Sequence, residues 1–180
     1  MKIEIISGSP RPDSHTYKEA LFIYNHFKTN TQHEVGLIDV RENPLPLLEK
    51  VWSSAEAAPE QFRSLAERMF AAQAFILVTP EYNGGYSPAL KNLFDHFPKQ
   101  VHKTFGIVTG SAGPMGGMRA TQQLQLYINA LFGIASPYMI VTPHVDKKFD
   151  AEGNLLDSSF QANVDTFTAE FLWLAEKVSV

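Results

Sequence analysis

The chain has 180 residues, of which 44% are apolar and 19% charged, and this balance fits one globular domain and excludes a disordered chain. A formal charge of −4 excludes the strongly basic surface that attracts nucleic acid. The absence of cysteine excludes a thiolate nucleophile, an iron–sulfur cluster, a thiolate zinc site and any disulfide, and it agrees with a reducing compartment. We therefore expect a single domain over residues 1–180.

The chain also lacks sequence features of export and of membrane insertion. No apolar run approaches the ~20 residues that span a bilayer. Met1 and Lys2 lead directly into a strand-like run, without the pattern of a signal peptide. We therefore expect a cytoplasmic protein that binds neither membrane nor nucleic acid.

Five short apolar runs alternate with segments of helical periodicity. The predicted strands cover residues 2–7, 35–40, 74–79, 104–110 and 135–141. Pro137 interrupts the last strand and places it at a sheet edge, because proline donates no ladder hydrogen bond. The predicted helices begin near Ser14, near Phe62, at Pro88, after Gly117 and at a cap formed by Asp157 or Ser158. Gly133 is expected to end the fourth helix.

Residues 43–59 are long for a loop and apolar for an exposed one. Long loops of this kind are commonly lids or interface segments. The alternative is a short helix near residues 47–52 that packs on the body of the domain. The sequence leaves both interpretations open.

The alternation of strands and helices predicts a doubly wound α/β domain, with a five-stranded parallel sheet between two helix layers. We expect the strand order 2-1-3-4-5, because the loops rich in glycine, serine and proline follow strands 1, 3 and 4. In that order these three strands are neighbours, so their loops meet at one switch point, where open α/β sheets bind ligands.

The loop after strand 1 contains the groups of an anion site. Ser9, Ser14 and Thr16 offer hydroxyls, Arg11 offers a guanidinium, and the following helix start offers free N–H groups. The loop lacks a Walker lysine and the G-x-G-x-x-G spacing, so a terminal monophosphate fits it better than a triphosphate or a classical dinucleotide. A structural alternative stays open, in which Ser14 only caps the helix and Arg11 only meets solvent.

The loops after strands 3 and 4 contain groups suited to a flat heterocycle. Glycines and Asn83 allow backbone amides to point at a polar ring edge, and Tyr82 offers an aromatic wall. Glu81 is a candidate general acid, but a lone carboxylate is more often a turn or surface residue. Ser111 and Gly113 let the backbone approach the same ring. The alternative for this last loop is a flexible turn between strand and helix.

Four motifs occur together and in a fixed order. They are Gly8-Ser9-x-Arg11-x-x-Ser14-x-Thr16, Pro80-Glu81-Tyr82-Asn83, Leu90-Lys91-Asn92-x-x-Asp95 and Ser111-x-Gly113-x-x-Gly116-Gly117. With this set, over roughly residues 1–140, the sequence resembles the NADPH-dependent FMN reductase family, which includes flavin, quinone, azo-dye and chromate reductases. The resemblance implies a flavodoxin-like three-layer sandwich, FMN as cofactor, NADPH or NADH as donor and a small-molecule acceptor.

The resemblance also implies a set of cofactor-binding residues, with no catalytic side chain and no metal, because FMN carries the chemistry. The set is Ser9, Arg11, Ser14, His15 and Thr16 around the phosphate, Pro80, Glu81, Tyr82, Asn83 and Gly84 against the isoalloxazine, and Ser111, Ala112 and Gly113 on its other side. Thr16 stands where the family often has Asn, and His96 stands where it often has Trp. His15 and His96 are weaker candidates for proton donors than for surface or interface residues.

We therefore expect an FMN-dependent NAD(P)H oxidoreductase that passes a hydride through flavin N5 to a quinone, azo, flavin or metal-oxyanion acceptor, with ping-pong kinetics. The resemblance implies a homodimer or homotetramer. As a hypothesis, the apolar residues of the segment 43–59 and those around Tyr86 and Phe94 form the subunit contact. Two alternatives stay open. One is a flavodoxin-type electron carrier, and the other is a regulatory module that has lost the cofactor.

Overall fold

A computed structural model describes residues 1–178, whose strands form one parallel sheet. The strands are β1 (Lys2–Ser7), β2 (Glu34–Asp39), β3 (Ala74–Pro80), β4 (Thr104–Ser111), β5 (Ile134–Ala135) and β6 (Ile140–Pro143). Their order is β2-β1-β3-β4, with β5 and β6 both paired to β4. The predicted order 2-1-3-4-5 is confirmed, and β1, β3 and β4 are neighbours.

The predicted fifth strand is divided into two short strands at the edge of the sheet. β5 pairs with the beginning of β4, at Thr104 and Phe105, whereas β6 pairs with its end, from Val108 to Ser111. Between β5 and β6 the chain leaves the ladder, at the position of Pro137. The predicted interruption at Pro137 and the edge position are confirmed, because a proline without an N–H group breaks the ladder, but the two parts are separate strands rather than one strand over 135–141.

Helices cover both faces of the sheet. The helices are α1 (His15–Asn30), α2 (Arg63–Ala71), α3 (Pro88–Asp95), α4 (Met118–Ala130) and α5 (Gln161–Val178). One apolar core lies between the sheet and α1 and α5, and a second lies between the sheet and α2, α3 and α4. Consecutive residues of β3 point into opposite cores, so the strand is apolar throughout rather than alternating. Among the helices of residues 1–178, none combines the length and the apolar character needed to cross a bilayer.

Aromatic side chains fill the centre of the core under α2, α3 and α4. The ring centroid of Phe75 lies 5.2 Å from that of Phe94 and 5.3 Å from that of Phe105. Burying each ring contributes about 1.5–3 kcal/mol relative to exposure. Phe94 has no exposed surface, so its own side chain is not available for the subunit contact that the sequence suggested.

The ends of two helices refine the predictions. Asp157 caps a single 3₁₀ turn, Ser158–Phe160, which leads into α5. α4 ends before Gly133, as expected, but Phe132 takes the left-handed conformation, with φ of 58°. The Gly133 N–H then donates to the carbonyl of Ile128 at 3.0 Å, which completes a Schellman motif.

The segment 43–59 has no helix near residues 47–52, which was one of the two interpretations left open by the sequence, and its first regular turn is the 3₁₀ turn Ala55–Ala57. Instead, one buried side chain anchors the segment. The Trp52 ring packs on the ring of His96 with a centroid distance of 4.8 Å, and the backbone N–H of Trp52 donates to the backbone carbonyl of His96 at 2.8 Å. Leu47 is 84% exposed, so the segment has both an anchored and an exposed part.

Candidate functional site

The loops after β1, β3 and β4 meet at the carboxyl edge of the sheet, and hydrogen bonds join the first two. The Gly8 N–H donates to the carbonyl of Val78 at 2.8 Å. The Ser87 hydroxyl donates to the carbonyl of Gly8, and its oxygen accepts from the Leu90 N–H at 3.1 Å. Ser87 is not among the site residues predicted from the sequence, although a serine before Pro88 is a typical helix N-cap.

These loops enclose a cavity of about 220 Å³, here called the polar cavity. The predicted residues that line it are Ser9, Arg11, Ser14, His15, Thr16, Pro80, Glu81, Tyr82, Ser111 and Ala112. Asp13, Gly110 and Val145 complete its wall. Predicted residues from three separate loops are thus brought together, as the strand order requires.

A wider depression of about 840 Å³ lies beside the polar cavity and shares Arg11, Glu81 and Tyr82 with it. Asn83 lines this depression rather than the polar cavity. Gly84 belongs to the same loop without lining either space. Gly113, in the third loop, also lies outside both walls.

The hydroxyls of the first loop are nearly buried and are held by their neighbours. Ser14 Oγ accepts from the Tyr17 N–H at 3.1 Å, so Ser14 caps α1 as the structural alternative proposed. The same oxygen lies 3.1 Å from Thr16 Oγ1. Ser9 Oγ accepts from the Arg11 N–H at 3.4 Å. These contacts fix three hydroxyls at the positive end of α1, where an anion is stabilised.

Arg11 is the cation of the polar cavity. Its side chain is exposed, and its guanidinium carbon lies 4.9 Å from the centre of the Tyr82 ring. Within residues 1–178 no carboxylate forms an ion pair with Arg11. The guanidinium is therefore free to donate hydrogen bonds to a bound anion.

A tight turn orients the Tyr82 ring. Asn83 and Gly84 have φ values of 52° and 83°, and Tyr82 and Gly85 exchange backbone hydrogen bonds of 2.8 and 3.1 Å across them. This is the two-residue hairpin in which Asn-Gly is strongly preferred. Asn83 and Gly84 therefore contribute to the site through the shape of the backbone rather than through their side chains.

Glu81 caps a helix with its side chain. Its Oε2 accepts from the N–H groups of Arg119 at 3.0 Å and Ala120 at 3.4 Å, and Oε1 lies 3.4 Å from the Arg119 guanidinium. α4 needs this external cap because its own N-cap residue, Gly117, has no side chain. The carboxylate is thus engaged with α4, and the general-acid alternative gains no support.

The third loop is held close to the end of the sheet. The Thr109 hydroxyl donates to the carbonyl of Gly116 at 3.1 Å, and Gly116 has a φ of 60°. A side chain at Gly116 would place its first carbon 2.6 Å from Pro143 N, so only glycine fits this close approach. The Gly113 N–H donates to Ser111 Oγ at 3.1 Å.

The two histidines considered as proton donors lie in different places. His15 is exposed in the wall of the polar cavity. His96 is only 2% exposed, and its Nδ1 lies 2.8 Å from the carbonyl oxygen of Asn92. Its ring contacts Trp52, so His96 anchors the segment 43–59 instead of facing the polar cavity.

Comparison with known proteins relates this architecture to flavin reductases. An FMN-dependent NADPH-azoreductase from Staphylococcus aureus is 33% identical over 177 residues, which cover 96% of this chain and 94% of the relative. The solved structure of FerB, a flavoenzyme NAD(P)H:(acceptor) oxidoreductase from Paracoccus denitrificans, superposes with a TM-score of 0.79 at 22% identity, and the match covers 98% of both chains. A flavodoxin variant from Pseudomonas aeruginosa superposes with a TM-score of 0.57 at 18% identity, covering 95% of this chain and 99% of the flavodoxin.

The fold similarity confirms the predicted flavodoxin-like sandwich. The family model described as NADPH-dependent FMN reductase matches residues 1–144, a range that includes all three loops of the polar cavity. This chain belongs to the NADPH-dependent FMN reductase family, and it is an oxidoreductase that uses FMN as cofactor and NAD(P)H as electron donor.

Proposed function

We propose that the polar cavity binds the phosphate of FMN, that the adjoining depression holds its ring, and that a small molecule is the electron acceptor. The acceptor class comprises quinones, azo compounds, flavins and metal oxyanions. The azoreductase activity named for the Staphylococcus aureus relative supports an aromatic azo compound within this class. We also propose that donor and acceptor use the same open side of the site in turn, which predicts ping-pong kinetics.

One observation carries the proposal. Three nearly buried hydroxyls and a guanidinium that has no acidic partner in the described part of the chain, residues 1–178, converge at the start of α1. A phosphate accepts hydrogen bonds from all of these groups and is stabilised by the helix dipole. The residues present therefore fit a terminal monophosphate.

The sizes of the two spaces agree with this division of roles. The polar cavity, at about 220 Å³, suits a phosphate and its attached chain, whereas the depression, at about 840 Å³, offers room for a planar ring. Tyr82 lies at the boundary of both and offers its ring as a wall. Backbone groups of residues 80–84 would contact the polar edge of the flavin, because the Glu81 carboxylate is used by α4.

When bound, FMN supplies hydride acceptance at N5 and electron delivery to the second substrate. The chain supplies orientation and electrostatics. Arg11 would neutralise the phosphate, while Ser9, Ser14 and Thr16 would fix its position. Tyr82 would limit the position of the ring. No acid–base pair of side chains is required for this division of work.

The proposal includes self-association and a cytoplasmic location. Leu47, Leu48 and Val51 are exposed in the segment 43–59, which supports a homodimer or homotetramer. Light scattering at micromolar concentration checks this part, and we expect the mass of two or four chains. The mass of a single chain would contradict it.

A non-enzymatic electron carrier is the second candidate, because the flavodoxin comparison supports the same fold. Such a carrier binds FMN but does not oxidise NAD(P)H without a partner protein. We expect the chain loaded with FMN and freed of excess to lose its visible flavin absorption within seconds of adding NADPH without oxygen. Persistent absorption would favour the carrier, and a colourless protein would contradict the whole proposal.

Initial rates test the order of events. With NADPH and a quinone or azo acceptor varied together, we expect parallel double-reciprocal lines, since one site serves both substrates in turn. Intersecting lines would show that donor and acceptor are bound at the same time, which would contradict the ping-pong scheme.

A further inference from the structure

A buried acid lies directly beneath the polar cavity. Glu19, one turn along α1 from Thr16, has no exposed surface. Its Oε1 accepts a hydrogen bond from the Thr142 hydroxyl of β6, whereas its Oε2 has no hydrogen-bond partner among residues 1–178. Neither the pattern of the sequence nor the proposed chemistry accounts for an acid at this place.

Only a thin wall separates this carboxyl group from the polar cavity. Gly110 and Thr16 line the cavity, and both also face Glu19. A methyl group built on Gly110 would lie 2.7 Å from Glu19 Oε2 and 2.9 Å from the Thr16 methyl carbon. The unpartnered oxygen is therefore aimed at the floor of the cavity, where a bound phosphate would lie on the other side.

The surroundings of Glu19 favour its uncharged form. Burial, opposed by the weaker effect of the Thr142 hydrogen bond, raises the pKa of Glu19 to about 8. β4 and β6, which pack on this part of α1, carry no ionisable side chain within their bounds. The ionisable groups on these adjacent elements are His15, Tyr17, Lys18, Tyr24, His26 and Lys28 of α1, Asp146 and Lys147 of the 3₁₀ turn Val145–Lys147, and Arg11 and Asp13 of the cavity wall.

We propose that Glu19 is a positioning residue that remains protonated beneath the bound phosphate, so that FMN binds more tightly to the form of the chain in which Glu19 carries its proton. This inference rests on the proposed function, which places the phosphate of FMN in the polar cavity. A phosphate dianion and a buried carboxylate would repel each other across a wall that excludes water. By linkage, bound phosphate raises the proton affinity of Glu19, and loss of that proton weakens phosphate binding.

A purely structural role is the competing account. In that account Glu19 only fills space and holds Thr142, and its proton is not linked to the ligand. The two accounts differ in the pH dependence of FMN affinity, which a packing role alone does not change.

The experiment measures the dissociation constant of FMN by flavin fluorescence at pH 7 and pH 9, where the phosphate is a dianion. For wild type, the dissociation constant should rise about tenfold between these pH values, since a group with a pKa near 8 must keep its proton in the complex. Glu19→Gln cannot ionise and should change less than twofold. Glu170→Gln, which removes an exposed charge from α5, is the matched control and should behave as wild type.

Thr142→Val tests the same linkage without changing the acid. In wild type, the hydrogen bond from Thr142 lowers the pKa of Glu19. Its removal in Thr142→Val should raise that pKa, so FMN binding should weaken only at higher pH. Equal pH dependence in wild type and Glu19→Gln, or an unshifted profile in Thr142→Val, would overturn this inference alone. Failure of wild type to bind FMN at pH 7 would overturn the proposed function and this inference with it.

Discussion

Arg11 belongs to the loop after β1 and Arg41 donates to the same loop, but the environments of their guanidinium groups are opposite. Arg41 donates from Nε to Asp39 at 2.9 Å and from Nη1 to the carbonyl of Pro12 at 2.7 Å. Its guanidinium also lies 4.0 Å from the centre of the Tyr17 ring. The guanidinium of Arg11, by contrast, contacts only the Tyr82 ring among residues 1–178. The donors of Arg41 are used by the fold, whereas those of Arg11 remain available to a ligand.

The cavities beside these two arginines differ in the same way. Arg41 borders a cavity of about 570 Å³, larger than the polar cavity and mostly apolar. The two amide side chains in the wall of this cavity already donate hydrogen bonds within the fold. Asn43 donates to the carbonyl of Asp39 at 3.1 Å, and Asn92 donates to the carbonyl of Pro46 at 2.8 Å. Available polar groups, rather than volume, therefore favour the polar cavity as the phosphate site that we propose.

The largest effect on stability is expected from Arg41→Ala. The change leaves Asp39, whose side chain is only 5% exposed, without its partner. We expect the free energy of unfolding to fall by about 2–4 kcal/mol, measured by urea denaturation. The exposed Arg63→Ala is the control and should remain within about 0.5 kcal/mol of wild type. A larger loss of FMN affinity in Arg41→Ala than in Arg11→Ala would contradict the assignment of Arg41 to the fold and of Arg11 to the ligand.

Arg11→Ala should affect binding rather than stability. The lost charged hydrogen bonds should weaken FMN binding by about 1.5–3 kcal/mol, which is roughly a 10- to 150-fold rise in the dissociation constant. Fluorescence titration measures this change. Because the side chain is exposed and lacks an ion pair, the free energy of unfolding should change by less than about 0.5 kcal/mol. Unchanged FMN affinity would refute the assignment of Arg11 to the phosphate.

Glu81→Ala extends the comparison to an acid at the site. Like Arg41, Glu81 is used by the fold, since its carboxylate caps α4. We expect the free energy of unfolding to fall by about 1 kcal/mol, as for the loss of a helix cap, while the pH dependence of turnover stays as in wild type. Turnover that falls at least tenfold without a change in stability would instead support a general acid.

The smallest effect is expected from an ion pair on the surface. The hydrogen bond from Lys148, followed by that from Ser159, lowers the pKa of Asp157 to about 2. Since the folded pKa lies below the ordinary value of 3.8, the pair stabilises the fold above about pH 4 and loses this effect as pH falls towards 2. Asp157→Asn should therefore melt slightly below wild type at pH 6, and the difference should shrink at pH 3. A constant difference would contradict this account.

Most of the fold was predictable because it depends on local patterns. The apolar runs of β1 and β3 and the turn formers after them identify buried parallel strands, and the positions of the glycine-rich loops fix the strand order. The interruption of the edge strand at Pro137 was predicted, because proline has no N–H group, but the separate pairing of its two parts with the two ends of β4 was not. That pairing and the irregular path around Trp52 depend on contacts with distant residues, which periodicity does not show.

The candidate site was predictable where chemistry follows from residue type. Arg11 and the three hydroxyls of the first loop met in one cavity, as the loop composition indicated. The capping role of Glu81 and the burial of Glu19 were not predictable, since both depend on helices and strands that are remote in sequence. A single carboxylate in a sequence carries no sign of which distant backbone it will meet.

A crystal structure of the FMN complex tests the central claim most directly. The account predicts the phosphate in the polar cavity, within hydrogen-bond distance of the side chains of Ser9, Arg11, Ser14 and Thr16, with the flavin ring beside Tyr82. A phosphate bound elsewhere, or a flavin in the apolar cavity beside Arg41, would contradict it.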